Sequence, residues 1–294
     1  MRMTMTLLRK MAGVFFILVA CIACPAACSC AEDWRQLSSD HFNLYFTGAE
    51  DKFAQEILDK SEEYYNQIAS DLGYPRYSEF WTWDNKASIY IYPDYASFRG
   101  ATGQPEWSQG MADYKKKEII GFAGSRGFEN SILPHEMTHL IFRDFVGFKG
   151  EVPLWLDEGV AQWHERVRRE EVRRMAKELY LKDSLLSIKD MMKLDIRNIK
   201  YKDTVYIRPM KTKSGEQGVL LLSGDALINT YYLQAVSLVD FLIGAYGTEN
   251  FTHFCRQLRD GKSLEEALGF AYPTFIRSLD DLEREWRKYI EEKM

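Results

Sequence analysis

The stretch Ser131-Ile132-Leu133-Pro134-His135-Glu136-Met137-Thr138-His139-Leu140 determines how the rest of the sequence is interpreted. It contains the pattern H-E-x-x-H, and residues four apart on a helix lie on the same face. His135 and His139 can therefore present two imidazoles to one ion, while Glu136 places a carboxylate beside it. Two histidine ligands and a base for a metal-bound water are what a zinc hydrolase requires.

The residues around the motif indicate a buried helix. Residues 140–142 are Leu-Ile-Phe, and histidines in an apolar helix are costly unless they are paired or metal-bound. Pro134 is tolerated in the first helical turn, with Asn130 or Ser131 as the predicted cap. A five-residue pattern with two free positions also arises by chance, so the motif needs a third ligand for support.

Glu158 is the best candidate for the third ligand, because catalytic zinc sites usually have three protein ligands and a water. Eighteen residues separate it from His139, enough for one helix to end, turn at residues 147–150 and give way to a second helix. Asp157 is a rival, but a one-residue offset on a helix points in another direction. Glu151 is the other rival, and its alternative interpretation is a solvated loop acid.

The first 31 residues have the pattern of an export signal. Residues 1–10 contain three basic residues and no acid, and residues 11–20 form an apolar run too short for a stable membrane-spanning helix. Leu18-Val19-Ala20-Cys21 resembles the lipobox of bacterial lipoproteins, and the small residues up to Ala31 also fit an ordinary signal-peptidase cut. We therefore expect a protein exported to the periplasm or cell envelope, with Cys21 as its lipid anchor if the chain is lipidated.

The composition of the chain bears on which classes of binding partner are expected. The chain has 294 residues and a net charge of −5, which becomes −8 if residues 1–31 and their three basic groups are removed. An acidic body lacks the electrostatic footprint of a nucleic-acid-binding protein, so we expect no nucleic-acid partner. Aromatic residues make up 14% of the chain, which favours a packed body over disorder. Cys255 is the only cysteine after residue 30 and fits a buried apolar position.

Hydrophobic periodicity predicts an α+β fold. Strands are predicted at residues 41–46, 87–92, 110–114 and 118–122, the last two around a basic turn at 115–117. Helices are predicted at 48–72, near 95–99, over the motif, from Asp157 toward Tyr180, and at 227–243, 249–258, 263–270 and 276–292. The segment 195–225 has poor helical periodicity and is predicted to be a hairpin or a long loop near the cleft.

This pattern predicts one catalytic domain, residues 32–294, built as two lobes. The first lobe, residues 32–145, holds a small mixed sheet, a flanking helix and the motif helix. The second lobe, residues 146–294, is mainly helical. The charged run 165–177 is interpreted as a solvated helix face, and His164 as a solvated histidine.

The two motifs together resemble those of the gluzincin metallopeptidases. His135-Glu136-Met137-Thr138-His139 followed by Trp155-Leu156-Asp157-Glu158-Gly159-Val160-Ala161 is similar to the H-E-x-x-H and W-L-x-E-G-x-A pair of small bacterial peptidase-MA-like domains. The aminopeptidase N family is more distantly similar. Looser similarity continues at residues 232–237, 246–247 and 263–268, so the resemblance covers about 34–290.

The resemblance implies a zincin-like fold, with the active-site helix between the two lobes, and a set of roles. His135, His139 and Glu158 would bind one Zn²⁺ per chain, and Glu136 would be the general base. Tyr232 matches the position of a tyrosine that often stabilises the oxyanion in this clan. A core tyrosine on an apolar helix is an equally good interpretation of Tyr232.

The expected function is an exported zinc metallopeptidase acting on a peptide or protein substrate. The G-x-M-E-N motif that holds a substrate's free amine in the aminopeptidase N family is absent, since residues 110–113 are Gly-Met-Ala-Asp, which favours an endopeptidase. Two alternatives stay open: a metal-dependent amidase of other specificity, and a non-catalytic metal-binding envelope protein. The oligomeric state does not follow from the sequence.

Overall fold

Five strands in the first half of the chain form a mixed sheet. The computed structural model describes residues 33–73, 81, 83–106, 108–125, 127–147, 152–199, 204–212 and 215–294. The strands are β1 (Arg35–Ser38), β2 (Phe42–Phe46), β3 (Ala87–Tyr92), β4 (Met111–Asp113) and β5 (Glu118–Phe122), in the order β1-β2-β3-β5-β4. The three inner strands are parallel, and β1 and β4 run antiparallel to their neighbours. The predicted mixed sheet is thereby confirmed.

Three sequence predictions fall on residues outside these ranges. They concern the leader with Cys21, the rival ligand Glu151 and most of the turn at 147–150. All three stay predictions.

Side chains along β2 alternate between buried and partly exposed, and the buried ones pack in the same core as the flanking helix. Phe42, Leu44 and Phe46 of β2 are buried, with the residues between them partly exposed, as a half-buried strand requires. Parallel neighbours need a crossover, and α1 (Asp51–Asp71) supplies it between β2 and β3. Its buried residues recur every three or four positions and pack into the same core: Ala54, Ile57, Leu58, Ser61, Tyr65, Ile68 and Ala69.

The rest of the described chain is mostly helical. Its helices are α2 (Tyr95–Thr102), α3 (Leu133–Val146), α4 (Leu154–Trp163), α5 (Arg169–Leu181), α6 (Ile188–Met191), α7 (Gly224–Tyr246), α8 (Thr248–Arg259), α9 (Leu264–Ala271) and α10 (Leu279–Lys293). The helix predicted from Asp157 toward Tyr180 is wrong, because the chain leaves the α-helix after Trp163 and resumes it only at Arg169.

Helix α7 lies at the centre of the helical part. It is long and apolar enough to cross a membrane by length and composition alone, but 72% of its most apolar window is buried within the protein. Such burial is what a helix in a protein core shows. Cys255 of α8 is fully buried nearby in the same hydrophobic core, as predicted. Trp34–Met294 form one compact unit.

A two-stranded sheet interrupts the helical part. Strands β6 (Val205–Lys211) and β7 (Gln217–Ser223) pair antiparallel, with Ile207 opposite Leu221. Of the two predictions for residues 195–225, the hairpin is therefore correct. Gly215 adopts a φ of 87° in the connection, a conformation that glycine reaches without a steric penalty.

Candidate metal centre

The motif helix α3 starts without a side-chain cap. A π-helical turn, Phe128–Ile132, runs directly into α3, so Ile132 already has helical backbone angles. The predicted cap at Asn130 or Ser131 is therefore wrong, because the helical backbone continues through both residues. Pro134 does occupy the first turn of α3, as predicted. The Ser131 hydroxyl instead donates to Glu165, with an Oγ–Oε2 distance of 2.6 Å.

Helix α4 presents Glu158 because it packs closely on α7. A Cβ added to Gly159 would lie 2.4 Å from the carbonyl oxygen of Ala235, so the backbones meet at a distance only glycine allows. This contact fixes the rotation of α4 about its axis. Glu158, the neighbouring residue, is 8% exposed and faces α3.

The donor atoms of the three predicted ligands converge. The Nε2 atoms of His135 and His139 are 3.2 Å apart, and they lie 3.8 and 3.7 Å from Glu158 Oε2. The circle through these three atoms has a radius of about 2.1 Å, which matches zinc–nitrogen and zinc–oxygen bonds of about 2.0–2.2 Å. One ion therefore fits at bonding distance from all three atoms.

The outward nitrogen of His135 contacts a buried carboxylate that the sequence did not reveal. His135 Nδ1 lies 2.8 Å from Glu165 Oε1, and Glu165 is 6% exposed. Burial opposes charge on the imidazole, but the hydrogen bond to Glu165 and the charge of Glu136 raise the pKa of His135 to about 9. With a cation on Nε2, the same contact fixes the proton on Nδ1 and orients the ring.

The outward nitrogen of His139 contacts the second carboxylate, Asp157. The His139 Nδ1–Asp157 Oδ1 distance is 3.3 Å, and the Arg143 guanidinium donates to Asp157 Oδ2 at 2.8 Å. Burial opposes ionisation of Asp157, but the bond from His139 and the charge of Arg143 lower its pKa to about 2. Asp157, which the sequence offered as a rival third ligand, therefore contacts the candidate ligand His139 instead. Its carboxylate lies at Nδ1 of the ring, whereas Nε2 faces His135 and Glu158.

An arginine from the segment 195–225 reaches the site. Arg197 donates to Glu158 Oε1 at 3.4 Å, the oxygen that faces away from the histidines. This contact leaves Oε2 directed at the two imidazoles. The segment predicted to be a hairpin or a long loop near the cleft therefore contributes directly to the shape of the site.

Glu136 differs from the other acids of the site. It is partly exposed, and within the described part of the chain it takes part in no hydrogen bond or ion pair. Its charge is close enough to act on both His135 and Tyr114. A carboxylate near the candidate ligands that has no other partner among the described residues is available to accept a proton.

Tyr114 and Tyr231 lie close enough to the centre for the charge of Glu158 to act on them, and Tyr232 follows Tyr231 on α7. Tyr232, the predicted oxyanion residue, is partly exposed and lines a cleft of about 440 Å³ with Glu165 and Arg168. Its neighbour Tyr231 is buried, and burial with the charge of Glu158 raises the pKa of Tyr231 well above its usual value. Tyr114 follows β4, with its ring centroid 6.3 Å from that of His139. Burial and the charge of Asp157 keep its pKa high, so its hydroxyl stays protonated.

The environment of residues 164 and 165 was mispredicted. His164 is 4% exposed, and its Nδ1 lies 2.9 Å from the carbonyl oxygen of Val160, so the prediction of a solvated histidine is wrong. Glu165, assigned to a solvated run, is buried against α3. The cause of both errors is the interruption after Trp163, where Glu165 adopts a ψ of 67° and turns inward.

No protein-family model matches this sequence, and a search of curated proteins gives no match.

Proposed function

We propose that this protein is an exported zinc-dependent metallopeptidase of the gluzincin type, with one Zn²⁺ held by His135, His139 and Glu158. The observation that supports it best is the ring of three donor atoms, about 2.1 Å in radius, whose histidines each contact a further carboxylate. When bound, zinc supplies a Lewis acid and an activated water. A site that only buried paired charges would have no need for this convergence.

Glu136 is assigned the role of general base. It would accept a proton from the attacking water and return it to the leaving amine. Its partial exposure and its lack of other partners among the described residues support this role. A purely structural metal site has no use for such a carboxylate, which argues against the non-catalytic alternative.

The position of β4 favours a peptide substrate over other amides. β4 is the terminal strand of the five-stranded sheet, and it leads into Tyr114 beside His139. An extended peptide can add to such an edge through backbone hydrogen bonds. A peptide bound in this way would pass the metal ligands, whereas a small amide would gain nothing from the strand.

The test compares wild type with Glu136→Gln on unfolded protein substrates. The variant is expected to keep about one zinc per chain and to lose cleavage by about 10²–10⁴-fold. Glu178→Gln on α5, which removes an exposed carboxylate, is the matched control and should cleave as wild type does. Equal cleavage by Glu136→Gln and wild type would refute the mechanism. If wild type bound zinc but cleaved no peptide or amide in a substrate panel, the result would support the non-catalytic alternative instead.

Tyr232 and Tyr114 are the two candidates for the oxyanion donor. Tyr232 is proposed from the family resemblance, and Tyr114 from its protonated hydroxyl beside His139. The residue that acts should lower kcat when changed to Phe, with little change in KM, because an oxyanion contact forms only in the transition state. Comparison of Tyr232→Phe with Tyr114→Phe assigns the role.

A further inference from the structure

The outer face of the β6–β7 hairpin is apolar and exposed. Val205, Ile207, Val219 and Leu221 are 59%, 63%, 63% and 64% exposed, although large aliphatic side chains are usually buried in folded proteins. The strand register places Ile207 opposite Leu221 and Pro209 opposite Val219, so the side chains are contiguous. These five residues are called the hairpin face below.

The inner side of the hairpin accounts for its attachment to the body. Leu220 is buried, and Tyr206, Met210 and Leu222 pack against the hydrophobic core. The Tyr206 hydroxyl also donates to Asp190 at 3.0 Å. The hairpin is therefore held by its inner side, and the hairpin face adds nothing to that attachment.

The charge of the hairpin is opposite in sign to that of the whole chain. β6 and β7 contain Arg208 and Lys211 and no Asp or Glu. Residues 193–213 contain seven Lys or Arg against two Asp, in a chain with a net charge of −5. Arg208 pairs with Asp190, whereas the side chains of Lys193 and Lys211 are exposed. Exposed aliphatic side chains on a strand that ends at the exposed Lys211, within a segment rich in lysine, are suited to an anionic lipid interface.

We propose that the hairpin face docks onto an anionic lipid bilayer, with its aliphatic side chains in the acyl boundary and the lysines at the headgroups. A second copy of the chain is the competing occupant. The exposed aliphatic surface is on the order of 400 Å², about half of the ~800 Å² per partner that a stable protein interface buries. Two like-charged hairpins would also repel each other, whereas an anionic surface attracts them. Area and charge thus both favour the bilayer.

The test is sedimentation of the full chain with vesicles of phosphatidylglycerol and phosphatidylcholine, or of phosphatidylcholine alone. Wild type should partition onto the anionic vesicles more strongly than onto the neutral ones. Ile207→Gln with Leu221→Gln should weaken that partition by at least about tenfold, because two interfacial side chains become polar. Both positions are exposed, so far-UV circular dichroism and zinc content should stay at wild-type values.

The matched control is Leu181→Gln with Phe270→Gln, two side chains that are 62% and 55% exposed outside the hairpin. It should partition as wild type does. The apolar run at residues 11–20 is common to all variants, so a difference between them reports the hairpin. Equal partition of the hairpin variant and wild type would overturn the proposal. A concentration-dependent dimer that the hairpin variant abolishes, with partition unchanged, would assign the face to a second copy.

Discussion

The metal centre and the β6–β7 hairpin depart from ordinary burial in opposite directions. At the metal centre, Asp157, Glu158 and Glu165 are 1%, 8% and 6% exposed, although carboxylates usually face water. On the hairpin, aliphatic side chains face water instead. We propose a partner of complementary chemistry for each departure, a cation in the first case and an apolar surface in the second. Both regions lie in one compact unit. A variant in one region therefore tests their independence when the property of the other region is measured.

The largest expected effect is loss of a metal ligand. Glu158→Gln removes the anionic donor, and we expect zinc affinity to fall by more than about 100-fold, beyond the loss typical of outer-shell changes. Competition with a chromogenic chelator measures this. Glu178→Gln on α5 is the control, and the two variants should differ. Wild-type zinc affinity in Glu158→Gln would remove Glu158 from the ligand set.

Loss of a carboxylate behind a histidine should have an intermediate effect. Glu165→Gln keeps the shape of the side chain but removes the charge next to His135, and Asp157→Asn does the same beside His139. Each should weaken zinc binding by about 10–100-fold, since the outer partner orients the ring. The same chelator competition applies. If both variants bound zinc as wild type does, these contacts would be structural only.

The apparent affinity for zinc should change by about tenfold per pH unit. In the metal-free protein the pKa of His135 is raised to about 9, so below that pH zinc must displace a proton from this imidazole. Apparent affinity should therefore rise with pH, by about tenfold per unit from this group between pH 6.5 and 8.5. Glu165→Gln removes the carboxylate charge that stabilises the proton on His135 and should flatten the slope. Affinity that falls as pH rises would contradict the assignment.

The smallest expected effect is that of the hairpin face on the metal centre. Ile207→Gln with Leu221→Gln should leave zinc affinity unchanged and alter the free energy of unfolding by no more than about 0.5 kcal/mol, because both side chains are exposed. Urea unfolding and chelator competition measure the two quantities. A large loss of zinc affinity would show that the two regions are coupled through Arg197, which contacts Glu158.

The three candidate ligands are predictable from the sequence, but the contacts of the carboxylates behind the histidines are not. The i, i+4 spacing of His135 and His139 and the second motif predict three donors that the fold brings together. Glu165 was missed because no Gly or Pro marks the interruption after Trp163, so periodicity suggested one long helix with a solvated face. Only the backbone turn at Glu165 directs it toward His135.

For the hairpin, the sequence could not predict which face is buried. The sequence predicted a hairpin or a long loop for residues 195–225, and the hairpin is confirmed. Strand alternation predicts which face is buried only when one face is polar. β7 is apolar at successive positions, Val219-Leu220-Leu221-Leu222, so its sequence cannot assign an inner and an outer face.

The most direct test of the central claim is X-ray absorption at the zinc edge of wild-type protein loaded with one equivalent of zinc. The ring of donor atoms predicts a four-coordinate ion with two imidazoles at about 2.0–2.1 Å and oxygen ligands at about 2.0–2.2 Å. In His139→Ala, scattering from one imidazole should disappear. A spectrum with no imidazole scattering, or with sulfur ligands, would contradict the account.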